Sequence, residues 1–320
     1  MEPVPGLADV RVVALGGGHG LSASLAALRH VVTDLTAVVT VADNGGSSGR
    51  LRREFGVLPP GDLRQALAAL CGDDDWGRTW ARVLQHRFAS KGEMDEHAVG
   101  NLLIVALWEL LGEHVNGLDW VARLLGAQGR VLPMSVAPID ITATVEGLDE
   151  ADPHALTTVR GQVEVASTSG QVVSVALEPR EPPACPEAVA AVTAADWIVL
   201  GPGSWFTSVI PHLLVPELRD ALISSAARKV VTLNLEPQAG ETEGFSPETH
   251  LEVLAGHAPD LKLDVVLADR NSVVDAELLR ATAASFGAEL VIADVAAVDG
   301  SPRHDAHKLA NAYAGFIREA

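Results

Sequence analysis

The apolar run Leu35 to Val41 leads into Asp43-Asn44-Gly45-Gly46-Ser47-Ser48-Gly49-Arg50, and few folds accommodate such a sequence. A run rich in Val and Thr that ends in glycines and serines predicts a buried strand followed by a loop whose backbone N–H groups can close around an anion. A plain solvent-exposed turn needs one or two such residues; this segment has five, flanked by an aspartate and an arginine. The same order occurs upstream, where Arg11 to Leu15 runs into Gly16-Gly17-Gly18-His19-Gly20 and Leu21 to Leu28 carries apolar residues at helical spacing. Strand, glycine turn, helix, strand and glycine loop make a βαβ unit. Its right-handed crossover sets both loops at the carboxyl edge of a parallel sheet, where open α/β sheets bind ligands.

With 320 residues, 48% of them hydrophobic, the chain can bury a large core, and we expect one α/β domain over residues 1–320. Lys and Arg number 23 against 42 Asp and Glu, a net charge of -19 that repels nucleic acid and anionic membrane at long range. An anionic ligand therefore needs a local positive field. Arg50, Arg52, Arg53 and Arg64 are its richest source, although a solvated helix face explains the cluster equally well. Cys71 and Cys185 lie far apart without a C-x-x-C pattern, as expected of small buried hydrophobes. The start, Met1 to Asp9, has no basic and apolar leader pattern, and no apolar run approaches ~20 residues, so a cytoplasmic protein without a membrane span is expected.

Further along, Leu58-Pro59-Pro60-Gly61-Asp62 reads as a turn ending in a helix cap, with a helix from Leu63 to Leu70. Residues from about 72 to 180 read as an insertion. Helices over Trp76 to Phe88, Val99 to Leu111 and Leu118 to Leu125 come first. Short alternating strands over Val131 to Met134, Ile139 to Glu146, Gly161 to Val165 and Val172 to Leu177 follow, as a small antiparallel segment. Asp73-Asp74-Asp75 is a solvated turn and cap, while His97 and Asn101, before and within the second helix, are either structural or ligand-facing. The doubly wound pattern resumes at Trp197 to Leu200, which ends in Gly201-Pro202-Gly203-Ser204-Trp205-Phe206-Thr207-Ser208. Val230 to Leu235 is the next strand and is followed by Gln238 and Thr242; with Asn234 these can hydrogen-bond a base or sugar. His304 and His307 have metal-ligand spacing but no evident third ligand, so a surface helix start is the simpler reading and no metal centre is assigned.

A helix N-terminus contributes about 0.3–1 kcal/mol to an anion, and hydrogen bonds to charged groups about 1.5–3 kcal/mol each. Micromolar binding needs about 8 kcal/mol net, beyond the cost of immobilising the ligand. Several glycine-bearing loops acting together reach that figure where one does not, and a phosphate-bearing, hydroxyl-rich ligand such as a nucleotide suits them. Gly18-His19-Gly20-Leu21-Ser22-Ala23, with Asp43 twenty residues on, also meets the dinucleotide fingerprint formally. An NAD-dependent oxidoreductase is the least favoured reading, because the loop after Asp43 is more elaborate than a ribose clamp needs.

GGGHG, VVTVADNGGSSGRLR, LPPGDLRQAL, VGNLLI, RVLPMS, GPGSWFTSVIPHLLVP and QAGET, in that order, resemble the YvcK-type gluconeogenesis factors of the UPF0052 family, relatives of the CofD phospholactate transferases. The resemblance covers nearly the whole chain. It implies a Rossmann-like CofD fold and a UDP-sugar ligand such as UDP-N-acetylglucosamine, with a role in cell shape and wall synthesis on gluconeogenic carbon and no established catalysis. By motif, the cleft is expected to be lined by Gly16, Gly17, Gly18, His19, Gly20, Asp43, Asn44, Gly45, Gly46, Ser47, Ser48, Arg50, Asp62, Asn101, Gly201, Gly203, Ser204, Thr207, Ser208, Asn234 and Gln238. Departures from the family pattern are His19 for the usual threonine, Asp43-Asn44 for a pair of aspartates, Glu236 in a loop that is neutral in the family, and a shorter stretch from Arg270 to Thr282.

The preferred expectation is a nucleotide-sugar-binding regulatory protein, a homo-oligomer read by a protein partner. The alternative is a CofD-type transferase moving a phospho-linked group from an activated nucleotide. There Asp43 or Asp62 would hold Mg²⁺ and Arg50 would steady the developing charge.

Overall fold

The computed structural model describes residue 7 and residues 9–149, 151–238 and 240–317. The reading of Met1 to Asp9 therefore lies mostly outside the described residues.

The first βαβ unit forms as expected: β1 (Arg11–Gly16), α1 (Gly18–Leu28) and β2 (Asp34–Val39), with β1 and β2 parallel. The expected loop after β2 is short. Gly46 already opens a helix, α2 (Gly46–Phe55), and α3 (Gly61–Ala69) follows. Three helices come next, α4 (Asp75–Gln85), α5 (Val99–Leu111) and α6 (His114–Leu125). Asp74 caps α4 by accepting from the Gly77 N–H at 2.7 Å, as the run of aspartates predicts.

Next comes β3 (Arg130–Pro133), which was expected in the antiparallel segment. It pairs parallel with β2 instead and closes one edge of the main sheet. The antiparallel segment itself consists of β4 (Asp140–Glu146), β5 (Leu156–Arg160) and β6 (Gln171–Glu178), in the order β5-β4-β6. Gly161 to Val165, expected as a strand, instead holds a short helix, α7 (Gln162–Ala166). Gly161 turns the chain at φ 108°, and the Asn44 side chain accepts from the Val163 N–H at 3.1 Å, so tertiary capping overrides the alternation of apolar residues.

The remaining elements are α8 (Pro186–Ala194), β7 (Trp197–Leu200), two helical turns over Trp205–Val209 and Ile210–Leu214, and α9 (Pro216–Ser224). They continue with β8 (Arg228–Thr232), α10 (Pro247–His257), β9 (Val265–Asp269), α11 (Ala276–Ser285), β10 (Glu289–Ala293) and α12 (Ala306–Ile317). The large sheet has seven strands in the order β10-β9-β8-β7-β1-β2-β3, all pairs parallel. Its central strands β7 and β1 are almost continuously buried, as a parallel sheet covered by helices requires.

The order fixes where a ligand can enter. The chain leaves β1 for β2 and β3 on one side, then returns to lay β7 on the other side of β1. The connections after β1 and β7 thus diverge and leave a crevice at their carboxyl ends. Buried hydroxyls tie the back of this crevice together. Tyr313 Oη on α12 lies 2.9 Å from Ser24 Oγ on α1 and 3.0 Å from Thr232 Oγ1 on β8, while Ser24 donates to the Gly201 carbonyl. Cys71 and Cys185 are both buried free thiols.

Candidate functional site

Gly17 precedes α1, and the loops of the crevice meet there. A Cβ at Gly17 would lie 2.6 Å from Asp62 Oδ2 and 3.1 Å from Ser208 Oγ, so only glycine fits between the α3 and β7 loops. Gly20 has no more room, since its Cβ would run into the backbone of Pro202 and Gly203. Gly18 adopts φ 56° with nothing near its missing side chain, and its N–H is directed to Asp62. The carbonyl of Gly16 accepts from the Thr40 N–H, and Thr40 Oγ1 donates to the Ser208 carbonyl at 2.9 Å, joining the loops after β1, β2 and β7.

Asp62 was expected to cap its helix. Pro60 occupies the cap position instead, and Asp62 sits in the first turn of α3 with its carboxylate turned into the crevice. Burial, and then the neighbouring Asp43, push its pKa up to about 7. Asp43 is also raised, chiefly by burial; its Oδ1 accepts from the Gly45 N–H at 2.8 Å and it is hydrogen-bonded to Ser48. Ser48 in turn accepts from the Gly61 N–H at 2.7 Å. Two carboxylates thus stand close together on the crevice floor. Held well above the usual carboxylate range, Asp62 can donate a hydrogen bond, exchange a proton or contribute to a cation site.

Several residues expected to meet a ligand have their side chains engaged inside the protein. Ser204 Oγ and Thr207 Oγ1 both bond to the buried Glu241 carboxylate, Thr207 at 2.7 Å, and that carboxylate also accepts from the Phe206 N–H at 3.2 Å. Asn234 pairs its amide with the N–H and carbonyl of Gly203, at 2.9 and 2.8 Å. Asn44 holds Glu164 and Val163 at α7. Ser47 bonds His97 and accepts from Asn101, whose carbonyl oxygen accepts from Arg64 Nε at 2.9 Å. Arg50 donates to the carbonyls of Glu93 and Asp95, which ties α2 to the segment before α5.

The N–H groups of Gly18 and Gly45 are taken by Asp62 and Asp43, while Gly18 and Gly46, at φ 56° and 45°, have open space where a side chain would stand. A cavity of about 470 Å³ opens beside the first glycine turn, between His19 and Gly20 on one side and Asn234 to Gln238 on the other, and reaches Arg303 and His304. Gln238 Oε1 and His304 Nε2 are buried without a partner at its wall, and burial pushes His304 down to about 4. The reading of His304 as a surface residue is therefore corrected. His307 alone is exposed, stacked on His30 with ring centroids 5.8 Å apart. Glu241 and His304 were not expected at the site. The order Gln238 to Thr242 placed a polar loop there but did not single out its carboxylate. Among the described residues no group of three or more His, Cys, Asp or Glu is placed to hold a metal ion.

A parallel doubly wound sheet, two glycine turns meeting at its strand-order reversal and an acidic pair beneath them define a Rossmann-like α/β protein. The family described as 2-phospho-L-lactate transferase CofD matches residues 12–307. The chain belongs to this CofD family. It is 53% identical over 302 residues to a Mycobacterium tuberculosis protein carrying the gluconeogenesis factor name, covering 93% of this chain and 88% of that one. The gluconeogenesis factor of Listeria monocytogenes is 36% identical over 318 residues, 96% of this chain and 95% of its own. A crystal structure of a UPF0052 family member from Bacillus halodurans superposes with a TM-score of 0.84 at 32% identity, covering 98% and 99% of the two chains.

Proposed function

We propose that this chain is a nucleotide-sugar-binding regulatory protein of the gluconeogenesis factor type, with a UDP-sugar such as UDP-N-acetylglucosamine in the crevice. The observation that carries this reading is the contact between Gly17 and the Asp62 and Ser208 side chains, which holds the glycine turns after β1 and β7 together at the strand-order reversal. In this reading the diphosphate lies at the N-terminus of α1, and the base and ribose extend into the cavity toward Gln238 and His304. The role assigned is cytoplasmic: a homo-oligomer whose ligand-bound state is read by a protein partner, matching cell-wall synthesis and cell shape to growth on gluconeogenic carbon. Among the described residues no helix is long and apolar enough to cross a membrane. Calorimetric titration with UDP-N-acetylglucosamine, UDP and GDP tests the proposal. Saturable binding of the uridine ligands that is lost in Gly18→Val supports it, and no binding of any UDP-sugar refutes it.

A second reading is favoured by Asp43 and Asp62. Two adjacent carboxylates beside a phosphate site suit one Mg²⁺ completed by ligand phosphates and water, and this supports a CofD-type transferase. Mg²⁺ would supply charge neutralisation on the phosphates. The chain's own part would be to orient them through Gly17 and Gly18 and to offer Asp43 and Asp62 as carboxylates, Asp62 giving up its proton to do so. Mg²⁺-dependent consumption of a nucleotide donor distinguishes this reading from the binder.

A further inference from the structure

On the far side of His19, between α1 and the helices α3 and α4, lies an open groove of about 650 Å³, lined by Ser22, Arg64, Gln65, Gln85 and Arg87 over a floor of alanines. Arg64 is only 4% exposed, yet its partners are neutral: Nε donates to Asn101 Oδ1 and Nη1 to Gln85 Oε1. Arg87, the second cation of the groove, donates through Nη1 to the Glu96 carbonyl at 2.8 Å. Among the described residues neither arginine has a carboxylate within ion-pair distance, and Arg64 Nη2 has no acceptor. Arg11, Arg29, Arg52, Arg130 and Arg160 each face an Asp at 2.5–2.9 Å. A buried guanidinium is unfavourable unless paired, and a second guanidinium nearby makes it more so. Asp62 and Asp43 act on Arg64 only from beyond ion-pair distance, and Arg87 opposes them.

We propose that the Arg64–Arg87 groove is a second ligand site, separate from the crevice, that takes a small metabolite bearing a phosphate or carboxylate group. The anion bridges Arg64 Nη2 and the free guanidinium N–H groups of Arg87, supplying the direct negative contact that neither arginine has within the fold. Gln65 and Ser22 offer neutral hydrogen bonds to the rest of the molecule. His19 borders both the groove and the crevice cavity, so the two ligands would lie on either side of one side chain. The site requires no nucleotide and stands or falls independently of the reading above.

Calorimetric titration of the whole chain in low-salt buffer with inorganic phosphate, a hexose 6-phosphate and citrate tests the proposal, with UDP titrated into the same samples. At least one of the three anions is expected to saturate. Arg87 is exposed, so its variants should fold normally. Arg87→Gln should weaken the anion about tenfold or more, Arg87→Glu should abolish it and Arg87→Lys should retain most of it, with UDP affinity changed less than about twofold throughout. The strongest of the three anions tells whether phosphate or carboxylate is preferred. No binding by any of them overturns the proposal, as does equal binding to wild type and Arg87→Glu, which marks an adventitious ion only. Parallel loss of anion and UDP in Arg87→Gln overturns the claim of a separate site. Anion binding that depends on Arg87 in a protein that ignores UDP upholds the groove and removes the nucleotide reading.

Discussion

Replacing Asp62 by Asn should make the ligand-free protein more stable, and by an amount that grows with pH. In the folded chain Asp62 titrates at about 7, against 3.8 for the unperturbed group. The folded state therefore holds a proton that the unfolded chain has already released. Stability from this group is greatest below 3.8, is lost as pH rises to about 7 and is level above that. A tenfold change in proton affinity is worth about 1.36 kcal/mol, so Asp62 costs the fold about 4 kcal/mol at pH 8, where it is ionised, and about 2 kcal/mol at pH 5, where it keeps its proton. Asparagine keeps an oxygen to accept from the Gly18 N–H and adds no charge. Urea unfolding of both proteins at pH 5 and pH 8 gives the comparison. The variant's advantage should widen by about 2–3 kcal/mol between the two, after His212 and His304, which titrate at about 4 and push wild-type stability the opposite way, cancel in the difference. A gap that stays constant or narrows with pH would refute the assignment of Asp62 as a buried, proton-retaining acid.

Glu241→Ala should destabilise by about 2–4 kcal/mol in chemical unfolding, since Ser204, Thr207 and the Phe206 N–H lose their common acceptor. Glu241→Gln, which keeps one acceptor oxygen, should recover part of that loss. Gly20→Ala should prevent soluble expression or lower the melting temperature sharply, because the added methyl meets the Pro202–Gly203 backbone, which cannot rotate away. Gly46→Ala, where the space is open, should cost only about 1 kcal/mol of left-handed strain in the same melting assay. Its effect on UDP-sugar affinity then reports on the crevice rather than on folding.

The sheet was legible from its strands because β1, β2 and β7 are short apolar runs that end in glycine or polar loops. Such strands are buried on both faces and carry their own boundaries. Three helices, α8, α9 and α10, escaped notice although each begins with a proline, Pro186, Pro216 and Pro247. Proline favours the first helical turn, but Pro186 follows Pro179, Pro182 and Pro183 and so resembles part of a loop. The start of α2 was hidden by composition. Gly46, Ser47, Ser48 and Gly49 are poor helix formers, and the helix is held by bonds from Ser47 to His97 and Asn101 and from Ser48 to Gly61. No local pattern encodes those partners. The same reason explains the site: motif order brought the loops together, but which hydroxyls and side-chain amides stay free depends on Glu241, Glu164 and Gly203, all distant in sequence from the groups they hold.

The Glu241 clamp has a consequence for how this surface can diverge. With the hydroxyls of Ser204 and Thr207 facing inward, the surface near Gly17 and Gly18 is peptide backbone, which every residue carries, beside the Asp62 and Ser208 side chains. Mutation can obstruct such a lining by adding a side chain, but cannot easily remove it. Relatives could therefore exchange one phosphorylated ligand for another through the outer walls at His19, Gln238 and Arg303 while the inner cradle remained the same.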